Sequence, residues 1–433
     1  MLSSDDALVA QLLPASAGQP GSPDWWQVLT RIGSPLCMAL ADSRQRVTFV
    51  WRDPQGDERH SSIQQVLIDA NGLTDHHRPD PQGLRRFPGT DLWHWSLSVP
   101  ADWRGSYSFI ALTAAQAAPP VNADEQLARL AQRRWWRGVT TQALGDSLNP
   151  LAPRRNTWGA EYSCLQLPLA PDQSAWQALD RGLVAAPSAA CWRQFDWHSA
   201  QLGNTRRVWL FSTAASLAAD DPQRPLVLLL DGQNWALHMP IYAALAADTQ
   251  RGRLPPALYV LLESLGGPQR ERDLACSAPF WQAIEDELLV LLAGQLKFSA
   301  RAERSVVAGQ SLGGLAALYA GWHRGQRFAR ILSQSGSFWW PRLELLDHPP
   351  GQRRPGSCGW LTEQWLAAPP ATRLRVYLEV GSGEDIMIDL NDSQAAALRA
   401  TGHELHYQIF QGGHDALCWR GGLLDGLAWL LTE

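Results

Sequence analysis

The sequence predicts an α/β protein in which a C-terminal domain with a mostly parallel β-sheet follows an N-terminal β-sandwich domain. Short strand-like segments separated by turn residues occupy residues 47–110, which is the spacing of a sandwich. From about residue 190, continuous apolar runs such as residues 226–230 alternate with helical segments. Such runs suit strands buried on both faces, so this part predicts a parallel sheet covered by helices.

Composition divides the chain of 433 residues into four ranges. Residues 1–24 are small, polar and rich in Pro and Gly, and we expect them to be loosely ordered. Residues 25–115 form the predicted sandwich. Residues 116–189 form a predicted linker and docking segment with a helix at about 124–138, and residues 190–433 form the predicted α/β domain. The predicted strands cover residues 47–51, 66–68, 92–97, 107–110, 206–211, 226–230, 258–262, 305–308, 374–378 and 406–410.

Charge and cysteine usage exclude several classes of protein. The formal net charge is −5 and the pI is about 6.1, which argues against a protein that coats nucleic acid. The six cysteines are scattered without a CxxC pair, which fits neither a disulfide framework nor a zinc site and predicts reduced thiols. We recognise no signal peptide and no membrane-spanning run, so the predicted location is cytoplasmic, with no membrane partner.

The segment Gly309-Gln310-Ser311-Leu312-Gly313 predicts a nucleophilic serine. It has the G-x-S-x-G pattern and lies between a predicted strand and a predicted helix, which is the context of the nucleophile elbow in an α/β-hydrolase. The turn is too sharp for side chains at the flanking positions, which explains Gly309 and Gly313. Because Ser311 opens a helix, the Leu312 N–H and the helix dipole can stabilise a tetrahedral oxyanion.

A nucleophilic serine needs a general base, and His414 is the best-placed histidine. In this fold the chain order is serine, acid, histidine. His414 lies between the last predicted strand and a predicted helix at about 421–431, and Gly412 and Gly413 before it permit a tight loop. The competing histidines lie before or within a strand, or on the helix after the elbow.

The acid of the triad is expected in the loop after the predicted strand 374–378. Glu384 is the first choice and Asp385 the alternative. A carboxylate at this place would accept a hydrogen bond from the second imidazole nitrogen and would fix the tautomer of the base.

The loop after the predicted strand 226–230 is placed to supply the second oxyanion donor. A backbone N–H would serve, and we assign it to Gly232. Trp235 in the same loop would then stand near the substrate, and the alternative is a tryptophan packed in the core. Arg270 is a candidate for the rim of the site, where a pair with Asp273 would stabilise it; the alternative is a solvated charged loop.

Several longer stretches resemble one family. They are VVAGQSLGGLAALYAG (306–321), LSQSGSFWWP (332–341), GGHDALCWRGGL (412–423), LLDGQNWA (229–236), FVWRDPQGDE (49–58) and DWRGSY (102–107). With them the chain resembles the ferric enterobactin esterase (enterochelin esterase) family of esterase D-like hydrolases along nearly its whole length. The resemblance implies a cytoplasmic enzyme that cuts the serine trilactone of an iron-loaded catecholate siderophore. It places Ser311, His414 and Glu384 at the nucleophile, base and acid positions.

The implied substrate is a small anionic, aromatic molecule, so cations and aromatic faces would bind it. Arg133, Arg134 and Arg137 in the docking segment, with the neighbouring tryptophans, would supply both, and the alternative is an exposed basic helix. Iron would arrive already coordinated by catechol oxygens. The expectation is therefore that the protein has no metal site and no cofactor.

Three other functions compete with this interpretation. A feruloyl or acetyl esterase acting on carbohydrate-linked esters shares the fold, but such enzymes are normally secreted. An acyltransferase would use the same elbow, although the family-specific stretches disfavour it. A non-enzymatic binding protein would be expected to have lost Ser311 or His414, and both are present.

Overall fold

The computed structural model describes residues 4–75, 78, 80–120, 124–155, 160–183, 185–346 and 353–432. The chain forms two compact units. The first consists of Met1–Pro171 with Gln411–Leu417, and the second of Asp172–Phe410 with Cys418–Glu433. The domain boundaries that composition suggested stay predictions.

Within the described residues, eight strands form the antiparallel sheet of the first unit, in the hydrogen-bonded order β1-β2-β5-β4-β3-β6-β8-β7. The four strands predicted in this part are confirmed, because each lies within an observed strand. The other four contain two to six residues without a clear alternation of apolar and polar side chains, so the sequence does not predict them. The strands are β1 (Leu36–Ala39), β2 (Arg44–Arg52), β3 (Ile63–Ala70), β4 (Gly83–Arg86), β5 (Leu92–Pro100), β6 (Arg104–Thr113), β7 (Arg154–Arg155) and β8 (Glu161–Gln166).

The short strand β4 connects two groups of strands in this unit. Its Leu84 pairs with Val66 of β3, and its Arg86 pairs with Trp93 of β5. A buried apolar cluster draws side chains from both groups. Its members include Val47, Phe49, Val66, Ile68, Trp93, Val99, Tyr107, Phe109 and Leu165.

Apolar side chains from residues 4–24 pack within this unit, whereas the sequence predicts loose order for residues 1–24. They form α1 (Ser4–Val9), a turn of 3-10 helix and α2 (Pro23–Ile32). Val9 and Leu13 are buried in one cluster with Trp25 of α2 and Val50 of β2. Their order depends on a distant strand, and local composition does not encode that contact.

The helix predicted at about 124–138 is confirmed as α3 (Glu125–Val139). Trp136 and Val139 of this helix are buried together with Leu67 and Ile110 of the sheet. The range expected to be a linker therefore contributes a packed helix to the first unit, as well as β7 and β8.

The second unit contains a mostly parallel sheet, as the sequence predicts. Its order is β16-β15-β14-β13-β11-β12-β10-β9, in which β11 to β16 are parallel and β9 and β10 form an antiparallel edge. The strands are β9 (Trp192–Ser199), β10 (Asn204–Ser212), β11 (Leu226–Leu229), β12 (Leu258–Leu262), β13 (Ser305–Gln310), β14 (Arg330–Gln334), β15 (Arg375–Gly381) and β16 (Glu404–Phe410).

Helices alternate with the strands of this sheet. Leu315 and Leu318 of α9 are fully buried in one core cluster with Val307, Ile331 and Val376 of the central strands. None of the helices in the described parts of the chain is long and apolar enough to cross a membrane. The helices are α4 (Gln177–Asp180), α5 (Tyr242–Gln250), α6 (Pro268–Leu274), α7 (Ala278–Ala283), α8 (Val290–Ala293), α9 (Leu312–Arg324), α10 (Trp360–Ala367), α11 (Ile386–Ala400) and α12 (Ala416–Leu431).

Candidate active site

Ser311 lies on a sharp turn between β13 and α9. Its backbone has φ 59° and ψ −122°, in the left-handed region that a non-glycine residue rarely adopts. A Cβ on Gly309 would lie 2.2 Å from the carbonyl oxygen of Gly313. Only glycine at that position allows the chain to fold back so closely. The strand–turn–helix geometry that the G-x-S-x-G pattern predicts is present, and Leu312 is the first residue of the helix.

The chain after β14 holds the Ser311 backbone on both sides. The Ser311 N–H donates to the Gln334 carbonyl (3.0 Å), and the Ser337 N–H donates to the Ser311 carbonyl (3.1 Å). The Ser337 Oγ also lies 3.3 Å from the Ser311 Oγ. Sequence reasoning missed Ser337 as a neighbour of Ser311, although it lies within the family stretch 332–341.

Glu384 has a buried carboxylate in the loop after β15, 7 % exposed. Its Oε1 accepts hydrogen bonds from the Gly381 N–H (2.7 Å) and the Ser335 hydroxyl (2.6 Å). The Trp419 indole N–H donates to the same Ser335 oxygen (2.9 Å). Asp385, the alternative acid, is exposed and immediately precedes α11 as its N-cap residue. Burial therefore distinguishes the two carboxylates, since Glu384 is buried and Asp385 is exposed.

His414 lies in the segment 411–417, which belongs to the first unit, whereas Ser311 and Glu384 lie in the second. Its side chain is exposed. Its backbone carbonyl accepts a hydrogen bond from the Asn71 side-chain amide (3.0 Å). The loop thus has the place in the chain that the sequence predicts, after β16 and at the start of α12.

The loop after β11 packs closely on the neighbouring strand. A Cβ on Gly232 would lie 2.5 Å from the Leu261 carbonyl carbon, so this backbone approaches β12 directly. Trp235 is only 2 % exposed, and its indole N–H donates to Gln310 Oε1 (3.0 Å). The expectation that Trp235 stands at the substrate is therefore corrected. Its ring packs in the core, which was the alternative left open.

Arg270 forms an ion pair with a partner other than the predicted one. Its Nε and Nη2 donate to the two carboxylate oxygens of Asp231, both at 2.7 Å. The predicted pair with Asp273 is wrong, because Asp273 is bound by Arg206 at 3.0 Å. The two acids lie on different elements, and sequence spacing within α6 could not show that Arg270 points to the loop after β11.

The three arginines predicted to bind substrate lie on α3 of the first unit. Arg133, Arg134 and Arg137 are exposed, whereas Trp136 is buried. The Trp135 indole N–H donates to the Gln116 carbonyl (2.9 Å). The helix therefore presents its cations to solvent and uses Trp136 for packing.

A buried polar network that sequence reasoning missed lies beneath the serine turn. Gln310 donates to Gln334 (2.8 Å), and Gln334 donates to Glu379 Oε1 (2.5 Å). Gln408 donates to the other oxygen of Glu379 (2.8 Å). Burial raises the pKa of Glu379 to about 7, and the hydrogen bonds from Gln408 and Gln334 oppose that rise. No local motif marks such a residue in a strand.

Among the described residues, no three or more His, Cys, Asp or Glu side chains are grouped so that they could hold a metal ion. The six cysteines are free thiols.

Two family models match this chain. The model described as "Enterochelin esterase, N-terminal" matches residues 46–176, and the model described as "Putative esterase" matches residues 214–430. Together with the serine turn and the mostly parallel sheet, these matches define the class of protein: it is an esterase, a carboxylic ester hydrolase.

Relatives along the whole chain give the family. The iron(III) enterobactin esterase of Dickeya dadantii is 48% identical over 426 residues, which is 98% of this chain and 96% of the relative. An iron(III) salmochelin esterase of Escherichia coli is 30% identical over 427 residues, which is 94% of this chain and 93% of the relative. The crystal structure of ferric enterobactin esterase from Salmonella typhimurium matches with a TM-score of 0.82 and 39% identity, covering 94% of this chain and 98% of that one. The chain belongs to the iron(III) enterobactin esterase family, which confirms the resemblance found in the sequence.

Proposed function

We propose that this protein hydrolyses the ester bonds of the trilactone backbone of iron-loaded enterobactin and so releases iron in the cytoplasm. The observation that supports this most is 48% identity to an iron(III) enterobactin esterase over 98% of the chain. The lower identity, 30%, to a salmochelin esterase favours enterobactin over its salmochelin relatives as the substrate.

In the proposed mechanism, Ser311 is the nucleophile and His414 is the general base. The Ser311 oxygen attacks the ester carbonyl while His414 takes the hydroxyl proton. When the tetrahedral intermediate collapses, the ester C–O bond breaks and His414 returns the proton to the leaving serine alkoxide of the substrate. Water then repeats the sequence on the acyl-enzyme. Backbone N–H groups of Leu312 and Gly232 would stabilise the oxyanion.

Glu384 is proposed as the acid that orients His414. Two observations support this role: the carboxylate is buried, and hydrogen bonds from the Ser335 hydroxyl and the Gly381 N–H fix its orientation. Asp385 lacks that support because it is exposed. Trp235 and Arg270 would act through packing and through the ion pair with Asp231, rather than by touching substrate.

The proposed substrate brings its own iron, so no cofactor is required. Ferric tricatecholate is anionic, and the exposed Arg133, Arg134 and Arg137 would attract it. Replacing all three with Gln should raise KM for the siderophore several-fold with kcat unchanged. The effect should shrink at high salt and should be missing for a neutral nitrophenyl ester. An equal rise in KM for both substrates would contradict charge attraction.

The strand order supports a finer description of the fold. A mostly parallel sheet with β13, the serine turn and α9 at its centre fits an α/β-hydrolase. In the first unit, one half of β4 pairs with β3 and the other with β5, and the buried cluster takes side chains from both groups. That arrangement supports a β-sandwich in which β4 passes from one layer to the other.

The deciding experiment is chromatography of the products after incubation with iron-loaded enterobactin. We expect linear trimer, dimer and monomer of dihydroxybenzoylserine with the wild type and none with Ser311→Ala or His414→Ala, while both variants keep the wild-type Tm. Cleavage of a nitrophenyl ester alone would leave the esterase mechanism standing and would direct the search to feruloyl and acetyl esters. Near-normal activity in either variant would contradict the triad.

A further inference from the structure

The segment that contains His414 is bound by residues of the first unit that are distant from it in sequence. The Asn71 side-chain amide donates to the His414 carbonyl across 343 positions of the chain. Asn71 follows β3 in a turn, and its own N–H donates to the Ser106 carbonyl of β6 (3.0 Å). The donor is therefore held by the sheet before it reaches the histidine loop.

The glycines on the two sides of this contact bring their main chains together. A Cβ on Gly413 would lie 2.3 Å from Asn71 Oδ1 and 2.7 Å from the Gly72 nitrogen. A Cβ on Gly72 would lie 2.8 Å from the Gly413 Cα. The turn after β3 and the residue before His414 thus pack backbone against backbone, with no space for a side chain.

Three further hydrogen bonds fix the same loop, two from β6 and one within the loop itself. The Arg104 N–H donates to the Gln411 carbonyl (3.2 Å) at the start. The Ser106 N–H donates to the Asp415 carboxylate (2.5 Å), whose other oxygen accepts from the Leu417 N–H (2.8 Å). The segment 411–417, which we call the histidine loop, is therefore attached to β6 and to the turn after β3 at its beginning, middle and end.

We propose that Asn71 is a positioning residue for the general base, and that residues 1–171 of the first unit serve catalysis by fixing the histidine loop. This inference rests on the proposed function, in which His414 accepts the serine proton. A general base acts only within hydrogen-bonding reach and orientation, and displacements of about 1 Å can cost about 100-fold in rate. One donor on the His414 carbonyl fixes the peptide from which the imidazole extends.

Asn149 provides a matched control within the same unit. Its side-chain amide also donates to a backbone carbonyl, that of Cys164 (2.9 Å), and to the Tyr107 hydroxyl (3.0 Å). Both Asn71 and Asn149 thus make the same kind of bond, from a side-chain amide to a backbone carbonyl. The two bonds differ in their acceptors, because only the bond from Asn71 is to the histidine loop. If both bonds had a purely structural role, the two alanine variants would have similar effects on turnover.

The test compares Asn71→Ala with Asn149→Ala in the full-length protein, using 4-nitrophenyl acetate and iron-loaded enterobactin. We expect Asn71→Ala to lower kcat about 10- to 100-fold on both substrates with KM within about twofold. Asn149→Ala should keep kcat within about twofold, even where its Tm falls. Asn71→Asp keeps the size of the side chain and removes the donor, so it tests the same bond if the alanine variant fails to fold.

A double-mutant cycle gives the decisive readout. In a His414→Ala background, Asn71→Ala should change the residual rate by less than about twofold, since it acts only through the histidine. The inference is overturned if Asn71→Ala keeps wild-type kcat, if Asn149→Ala loses as much, or if the effect persists without His414. A fully active His414→Ala would overturn the base assignment itself, a result distinct from failure of the positioning role.

Discussion

The loops around Ser311 and His414 are stabilised in opposite ways. The serine turn is determined by nearby residues: Gly309 allows the close approach of Gly313, and the turn is followed directly by α9. The histidine loop is determined by residues more than three hundred positions away, of which Asn71 is one. One loop is built by local steric rules and the other by a docking contact.

This difference determines how each loop is expected to respond to mutation. A change in the serine turn acts directly on the backbone of Ser311, the proposed nucleophile, because the turn leaves no space for a side chain at Gly309. A change in the turn after β3 leaves the histidine loop intact in sequence and removes only its support. The variants below test that distinction, and the largest expected effect comes first.

Gly309→Ala should have the largest effect. The new Cβ would meet the Gly313 carbonyl oxygen at 2.2 Å, so the elbow must open and the protein should lose nearly all esterase activity together with several degrees of Tm. Gly266→Ala is the control, since a Cβ added there would meet no atom within 4 Å. Esterase rates and thermal melts of both variants check this, and a Gly309→Ala protein with wild-type rate and Tm would contradict the local account.

Gly72→Ala should have the next largest effect, on the other loop. Gly72 and Gly89 both have left-handed backbones, with φ 75° and 73°, so an alanine costs each about 1 kcal/mol. Only at Gly72 would the Cβ meet another segment, the Gly413 Cα at 2.8 Å. We expect an activity loss of roughly 10-fold or more in Gly72→Ala and almost none in Gly89→Ala. Equal activities in the two variants would show that the histidine loop does not need this contact.

Ser335→Ala tests the support of the proposed acid. It removes the hydroxyl that donates to Glu384 and that accepts from the Trp419 indole N–H. We expect kcat to fall about 10-fold and stability to fall by about 1–2 kcal/mol. Ser333→Ala is the control, because the Ser333 hydroxyl is buried on the adjoining strand β14 with no partner among the described residues. A kcat unchanged in Ser335→Ala would remove the support for Glu384.

Glu379→Gln should have the smallest effect on the esterase rate, because it acts on pH-dependent stability instead. The pKa of Glu379 is raised from 4.5 to about 7, so its favourable contribution is complete below pH 4.5 and is lost as pH rises through about 7. The glutamine variant does not titrate, and at pH 8 it should gain about 3 kcal/mol relative to the wild type. Melting curves at pH 5 and pH 8 measure this, with the exposed Glu344→Gln as control. The same pH dependence in Glu379→Gln and wild type would show that Glu379 does not titrate in this range.

Much of the fold could be predicted because its signals are local. The buried strands were predicted from apolar runs such as Leu258–Leu262, and the sharp turn at Ser311 was predicted from its flanking glycines. Short strands such as β4 and β7 escaped detection, since two to four residues are too few for a period. The packing of the N-terminal residues was not predicted either, because Val9 and Leu13 are covered by residues distant in the chain.

The features of the candidate site also fall into two groups, those that a local pattern predicts and those that depend on distant contacts. The sequence by itself determined the serine turn and the family, and it predicted the chain order of nucleophile, acid and base, because each depends on a short pattern of residue types. Only the tertiary structure decided that Glu384 rather than Asp385 is the buried carboxylate, that Arg270 pairs with Asp231, and that Asn71 binds the histidine loop. These are contacts between segments far apart in the chain, and their geometry arises when packing brings the segments together.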